Sequence, residues 1–164
     1  MGAIQLNEYQ AIEDFVVGSS TYAGELTIEV KHASSAKVLQ ILKDQFGFEY
    51  LADITGIDYY SDEKRFGVAY NLVSLSNKKR LRVLVRVDEK DPSVATAVGI
   101  WPSAAWFERE VWDMLGIRFA GHPDLRRIYM PEDFEYFPLR KEFPLIGIPG
   151  SIQTPEPAPP KEYK

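Results

Sequence analysis

The stretch FGVAYNLVSLSNKKRLRVLVRV, residues 66–87, decides the fold class. Every second residue of the run 66–72 is apolar, and so is every second residue of the run 81–87. This period of two is typical of strands that bury one face. The polar residues 76–80 between the two runs suit a hairpin connection. The stretch therefore predicts an antiparallel pair of strands with one apolar face that other elements must cover.

Two amphipathic helices are predicted outside this hairpin. Apolar residues recur at helical spacing from Ser34 or Ser35 to Phe46, and Gly47 follows as a stop signal. A second helix is predicted from residues 102–103 to Leu115, with Gly116 after it. Further strands are expected at 26–30 and 48–55, a short helix at 8–17, a polar loop at 18–23, a loop at 56–65 and a helical turn at 91–98.

Together these elements predict an α+β fold. We expect two layers, with the helices packed on one face of a mostly antiparallel or mixed sheet, and an irregular extended C-terminal segment. The expected division is a compact α/β domain at 1–116, an irregular partner-docking stretch at 117–150 and a Pro-rich tail at 151–164. Aromatic, charged and proline residues alternate within 117–150 without a helix or strand period.

Composition excludes several function classes. The chain has 164 residues with 45% hydrophobic and 26% charged residues, which is a globular composition. It contains no cysteine, so it holds no disulfide, thiolate zinc site or iron–sulfur cluster of its own. A formal net charge of −5 disfavours sequence-independent nucleic-acid binding, because such binding depends on neutralising phosphates. No secretory signal and no apolar run of about 20 residues is present, so we expect a cytoplasmic chain that meets a membrane only through partners.

The common catalytic motifs are also absent. The sequence has no GxGxxG after a strand, no GxxxxGK[ST] and no HExxH, and it contains 2 histidines. One enzymatic hypothesis stays open, in which Glu110, Asp113 and His122 act on a small anionic substrate held by Arg126 and Arg127. The spacing of Arg109 and Asp113 also allows an ordinary ion pair along the helix surface.

The charged and aromatic residues after position 108 suit a docking surface better than a catalytic site. Arginine and aromatic side chains are enriched in well-packed interfaces, and an unpartnered irregular stretch of this length is unusual in a compact domain. An adaptor that captures a Pro-rich ligand is a further hypothesis, and it predicts a groove lined by Trp106 and Tyr129.

Three motifs within 108–144 resemble those of a known family. They are Glu108-Arg109-Glu110-x-x-Asp113-x-x-Gly116, Gly121-His122-Pro123-x-Leu125-Arg126-Arg127-Ile128 and Pro138-Leu139-Arg140-Lys141-x-Phe143-Pro144. In this order and spacing they resemble the signature of the 30 kDa subunit family of respiratory complex I. Tyr129 departs from the pattern, which usually has an aliphatic residue there.

The resemblance implies a structural subunit of the peripheral arm of an NADH:quinone oxidoreductase, an enzyme complex that couples electron transfer to proton translocation. It implies no catalytic, cofactor or metal site in this chain, with FMN and iron–sulfur clusters on other subunits. The implied partners are the 49 kDa-type (D-type) subunit and the cluster-bearing (B-type) subunit, near the quinone site on the cytoplasmic side of the inner membrane. A membrane-bound hydrogenase or a ferredoxin- or F420-dependent complex is the alternative assembly, because the electron donor binds to other chains.

Our hypothesis for the site concerns the charged residues of the three motifs. We expect them to hold the irregular stretch in shape and to dock it on partner subunits. These residues are Glu108, Arg109, Glu110, Asp113, His122, Arg126, Arg127, Arg140 and Lys141.

Overall fold

A computed structural model describes residues 6–60, 62–145 and 147 of the chain. The elements are, in order, a 3-10 helix Leu6–Phe15, strands β1 (Val16–Tyr22) and β2 (Glu25–Val30), a 3-10 turn His32–Ser34, helix α1 (Ser35–Phe46), strands β3 (Tyr50–Asp58), β4 (Phe66–Ser74), β5 (Lys79–Val87) and β6 (Ser93–Ala95), helix α2 (Ala104–Leu115) and strand β7 (Arg118–Ala120). The predicted tail at 151–164 lies outside the described residues.

Five strands form one mixed sheet in the order β1-β2-β5-β4-β3. The hairpin predicted from residues 66–87 is its centre, with Phe66 opposite Val87 and Ser74 opposite Lys79. The pair β2–β5 is parallel and the other neighbours are antiparallel. Strands β6 and β7 form a small parallel pair of their own. The α+β fold class predicted from the sequence is confirmed.

The core lies between the apolar face of the sheet and the two helices. Val68 and Tyr70 of β4 are fully buried in one cluster with Leu39 of α1 and Val111 of α2. Helix α2 approaches β3 closely because Gly56 has no side chain. A Cβ atom there would lie 2.5 Å from Leu115 and 2.9 Å from Val111. Both helices end at a glycine with a left-handed backbone, as the sequence predicts.

Several local predictions were wrong. Residues 18–23, predicted as a polar loop, lie mostly in strand β1, and the turn is confined to Ala23 and Gly24. The helical turn expected at 91–98 contains strand β6, which pairs with β7. Strand β3 extends to Asp58, beyond the predicted end at 55. In each case pairing with a neighbouring strand overrides a local preference for turn or helix.

After β7 the chain crosses the end of α2 without regular structure. We name residues 121–145 the anchored segment, because side chains from the domain bind it along its length. Within the described ranges, no helix has the length and hydropathy required to cross a membrane.

Candidate functional site: the anchored segment

The carboxylate of Asp113 is the centre of the site. It projects from α2 and is fully buried. Its Oδ2 atom accepts hydrogen bonds from the backbone N–H groups of Ile128 (3.0 Å), Tyr129 (2.7 Å) and Met130 (3.1 Å). Burial alone would raise the pKa of Asp113, but these three bonds and Arg127 hold it below its ordinary value. The carboxylate therefore stays charged and shapes the backbone at 128–130.

Arg127 completes this arrangement from the segment side. Its Nη1 atom lies 2.7 Å from Oδ1 of Asp113, and the side chains of Arg127 and Asp113 are 8% and 0% exposed. Its Nη2 atom donates to the carbonyl oxygens of Phe134 and Tyr136. The guanidinium also lies 5.3 Å from the ring centre of Phe137. One arginine therefore joins α2 to two further points of the segment.

Arg109 binds the same segment one turn earlier on α2. Its Nε and Nη2 atoms donate to the carbonyl oxygens of Arg126 (3.0 Å) and Arg127 (3.1 Å). Its guanidinium stacks 4.7 Å from the ring centre of the exposed Trp106. The ion pair considered between Arg109 and Asp113 does not form, because each binds the segment instead.

Arg140 and Lys141 bring the segment back to the domain. Arg140 donates from Nε to the carbonyl oxygen of Leu115 (2.7 Å), an acceptor that the end of α2 leaves unsatisfied. The backbone N–H of Lys141 donates to Asp58 (2.8 Å), whereas its side chain is exposed. Gly116 has a φ of +77°, and a Cβ atom there would lie 2.6 Å from Arg140 and 2.7 Å from Phe137.

A second buried ion pair, which the sequence did not predict, lies at the end of β3. Arg65 binds both carboxylate oxygens of Asp58, at 2.9 Å from Nε and 2.8 Å from Nη2. Arg65 also contacts Glu89 and Glu142, and Glu142 belongs to the segment. The hydrogen bond from Arg65 lowers the pKa of Asp58 to about 2 against the opposing effect of burial. This group anchors the far end of the segment.

Glu108 is buried on α2 without a cation among the ion pairs of the described chain. Its carboxylate accepts hydrogen bonds from the hydroxyl of Thr96 (2.5 Å) and the backbone N–H of Ala97 (2.6 Å). Burial raises the pKa of Glu108 to about 7, and these two bonds only partly offset the effect. Glu108 therefore fixes the turn after β6 and makes no contact with the anchored segment among these bonds.

The remaining predicted residues have smaller structural roles. Nε2 of His122 lies 3.0 Å from the carbonyl oxygen of Ala105, and Nδ1 accepts from the backbone N–H of Asp124 (3.0 Å). The side chain of Arg126 is 64% exposed and pairs with the similarly exposed Asp124. Glu110 is exposed beside a cavity that Leu139 also lines.

The structure thus gathers Arg109, Asp113, Arg127, Arg140 and the backbone of Lys141 on one segment. It does not gather the proposed catalytic residues. Among the hydrogen bonds of the described chain, none joins any two of Glu110, Asp113 and His122, and the arginine expected to hold an anion binds Asp113 instead. In the same ranges, no three histidine or acidic side chains are placed to share a metal ion. Trp106 and Tyr129 are both exposed.

Asp58 and Arg65 escaped prediction because nothing in their local sequence marks them as a pair. Lys141 follows Asp58 by 83 positions and Glu142 follows Arg65 by 77, so only the folded chain brings these groups together. The one available signal was a pair of opposite charges bracketing a loop between two apolar strands.

The fold and the site define an α+β domain whose motif charges bind and shape its own C-terminal segment. The profile of the family described as respiratory-chain NADH dehydrogenase, 30 Kd subunit, matches residues 28–148. The NADH-quinone oxidoreductase C subunit of Paramagnetospirillum magneticum is 48% identical over 147 residues, covering 87% of this chain and 73% of that protein. The C subunit of Roseiflexus sp. (strain RS-1) is 44% identical, covering 82% of this chain and 79% of that protein. One of the C subunits of Rhizobium meliloti is 52% identical, and the match covers 69% of this chain and 64% of that protein.

Two solved structures share the fold. The trypsin-resistant fragment (1-134) of Nqo5 is 35% identical with a TM-score of 0.65, covering 73% of this chain and 96% of that chain. A chain of an archaeal membrane-bound sulfane sulfur reductase is 23% identical with a TM-score of 0.73, covering 85% of this chain and 84% of that chain, a likeness of fold alone. The chain belongs to the 30 kDa subunit family of respiratory-chain NADH dehydrogenase, as the three motifs indicated.

Proposed function

We propose that this chain is a non-catalytic structural subunit in the peripheral arm of a respiratory NADH:quinone oxidoreductase. In this assembly electrons pass from NADH to quinone, coupled to proton translocation, and the isolated chain is inactive. The NADH-quinone oxidoreductase names of the curated relatives support this assembly over a hydrogenase or a ferredoxin- or F420-dependent complex. FMN and iron–sulfur clusters are carried by other subunits.

One observation carries the structural role. The motif charges of α2 bind the anchored segment from inside, and this leaves large side chains of the segment on the outside. Tyr129, Tyr136 and Leu139 are exposed there. Exposed aromatic and aliphatic side chains next to arginine are typical of surfaces that a partner buries.

The proposed partners of this surface are the 49 kDa-type subunit and the cluster-bearing subunit. The chain then lies near the quinone site, on the cytoplasmic side of the inner membrane, and is held there by these contacts. The nine motif residues divide the work. Arg109, Asp113, Arg127 and Arg140 shape the segment, Arg126 and Lys141 present charge to partners, and Glu108, Glu110 and His122 support the domain around it.

The variant Arg126→Ala tests docking because the Arg126 side chain contributes little to the fold. It is largely exposed and pairs only with exposed Asp124 among the described ion pairs, a contact worth about 0–1 kcal/mol. We expect unchanged stability of the isolated chain, but a several-fold lower yield of the 49 kDa-type and cluster-bearing subunits when the tagged chain is purified from detergent extracts of its host.

A matched control is Arg80→Ala, since Arg80 is similarly exposed on the other face of the sheet and is paired loosely with Glu25 at 3.7 Å. This variant should recover both partners at the level of the unchanged chain. Normal assembly with slow NADH:quinone turnover in Arg126→Ala would contradict the structural role and favour a direct catalytic part. Recovery of the unchanged chain alone, from extracts in which the large complex survives, would contradict the proposal as a whole.

A further inference from the structure

Strand β1 (Val16–Tyr22) is an edge of the five-stranded sheet, and it lacks the usual protection of an edge. Its sequence VVGSSTY contains no charged residue and no proline. Residues 17–22 are exposed, including Tyr22 at 87%. Natural edge strands are normally kept from pairing by charges, prolines, bulges or a covering element.

The opposite edge of the same sheet is protected in this way. Strand β3 carries Asp53 and Asp58, has a register shift between Leu51 and Asp53, and lies under α2. The register shift of β1 lies at its start, between Val16 and Gly18, so that residues 18–22 stay regular. The two edges therefore differ in their capacity to accept another strand.

The register shows which backbone groups of β1 are available. Ala23 and Gly24 both have positive φ angles (50° and 81°), which is typical of a two-residue hairpin turn. In such a hairpin the residues next to the turn, Tyr22 and Glu25, exchange both hydrogen bonds. The pairs alternate from there, so the N–H and C=O groups of Thr21 and Ser19 point away from β2.

We propose that the free edge of β1 pairs with an extended, uncharged segment of another subunit, which becomes a sixth strand of the sheet. Backbone hydrogen bonds from Ser19 and Thr21 would supply the binding, and the exposed side chains of Val17 and Tyr22 would supply apolar contact. This partner rests on the proposed function, because it belongs to the same assembly, but the surface is separate from the anchored segment.

A second copy of this chain suits the edge less well. Pairing of β1 with β1 would involve 7 residues on each copy, whereas stable interfaces use about 20–30 residues a side. Each copy also carries a net charge of −5. An extended segment anchored elsewhere in an assembly needs no such area at β1 alone.

Residue-resolved hydrogen exchange of the full chain, alone and in the purified assembly, tests the proposal. The amides of Ser19 and Thr21 should exchange freely in the isolated chain and at least about tenfold more slowly in the assembly, because a new strand binds them. The amides of Ser20 and Tyr22 already bind β2 and should change little. The variant Ser19→Pro removes one outward donor and should lower the protection of Thr21, whereas Ser19→Ala should keep it.

Free exchange of Ser19 and Thr21 within an intact assembly would overturn the added strand and leave the proposed function standing. Protection that already rises with concentration in the isolated chain would identify a second copy and overturn the proposed partner. Failure of the unchanged chain to enter any assembly would overturn the proposed function, and with it this partner.

Discussion

At the scale of single residues, Asp113 explains how a short irregular segment keeps one conformation. Three consecutive backbone N–H groups and one guanidinium converge on its carboxylate. Inside a protein, such bonds are strong because water does not compete for them. The same burial makes the pair vulnerable, since a charge left without its partner cannot be solvated.

We expect Asp113→Asn to lower the free energy of unfolding by about 3–5 kcal/mol, because Arg127 then stays buried without a counter-charge. Chemical denaturation of the full chain measures this value. The control Asp124→Asn removes the partner of exposed Arg126 and should change stability by at most about 1 kcal/mol. Equal effects of the two substitutions would show that the Asp113 carboxylate is not the anchor.

Glu108 leads to a prediction about pH. Burial raises the pKa of its carboxyl from 4.5 to about 7, so the folded chain binds a proton more tightly than the unfolded chain does. The resulting stabilisation is fully present below pH 4.5 and is lost as the pH rises through about 7. The buried Tyr70 hydroxyl, whose pKa is raised by burial and by the nearby Glu108, supplies no positive charge to oppose this loss.

We expect the unfolding free energy to fall by up to about 3 kcal/mol more in the unchanged chain than in Glu108→Gln as the pH rises from about 4.5 to about 7.5. The glutamine keeps the shape and can still accept from Ala97. Denaturation series at several pH values measure the difference. Parallel pH profiles of the two chains would mean that Glu108 does not titrate in this range. Asp58 and Asp113, whose pKa values are lowered, act only at more acidic pH.

At the scale of elements, the end of α2 joins the helix to the anchored segment. Gly116 provides the left-handed residue that stops the helix, and Arg140 and Phe137 occupy the space beside it. Arg140 also binds the carbonyl oxygen of Leu115, so the segment caps the helix that it crosses. Helix termination and segment docking are therefore one structural event.

We expect Gly116→Ala to be more destabilising than Gly47→Ala. Both glycines end helices with positive φ (+77° and +68°), so both substitutions carry the same left-handed penalty of about 1–2 kcal/mol. The nearest atoms to a new Cβ are 2.6 Å away at Gly116 but 3.2 Å away at Gly47. Limited trypsin digestion should cut Gly116→Ala faster within the anchored segment, and equal digestion of the two variants would contradict the docking of Arg140 there.

The elements also show what sequence alone can predict. Both long helices and the central hairpin are predicted correctly, because their periodicity reports burial of one face directly. Strand β1 is not predicted, since its polar, exposed residues carry no period and only its pairing with β2 defines it. The sequence predicts a helical turn where strand β6 lies, because the partner β7 comes more than twenty residues later.

The site is predictable to a similar extent. The motifs point to Asp113, Arg127 and Arg140, but the sequence does not tell that Asp113 binds backbone amides rather than Arg109. Asp58 and Arg65 could not be found, because their contacts to residues 141 and 142 depend on the whole fold. Whether the exposed side of the segment docks on other subunits stays a prediction.

At the scale of the whole molecule, the anchored segment is fixed to the domain at both of its ends. Asp113 holds the start of the segment on α2, and the Asp58–Arg65 pair holds its end against strands β3 and β4. All 3 tryptophans lie between residues 101 and 112, so their fluorescence reports on α2 between these anchors. We therefore expect segment, helix and sheet to unfold together.

The variant Asp58→Asn tests this cooperativity. It should lower the unfolding free energy by about 1.5–3 kcal/mol, less than Asp113→Asn, because Arg65 keeps its contacts with Glu89 and Glu142. Tryptophan fluorescence and far-ultraviolet circular dichroism should shift to the same lower denaturant concentration. Asp62→Asn, which removes a half-exposed partner of Arg86, is the matched control and should shift both signals only slightly. A fluorescence transition that precedes the loss of sheet signal in Asp58→Asn would show instead that α2 and the segment unfold as a separate unit.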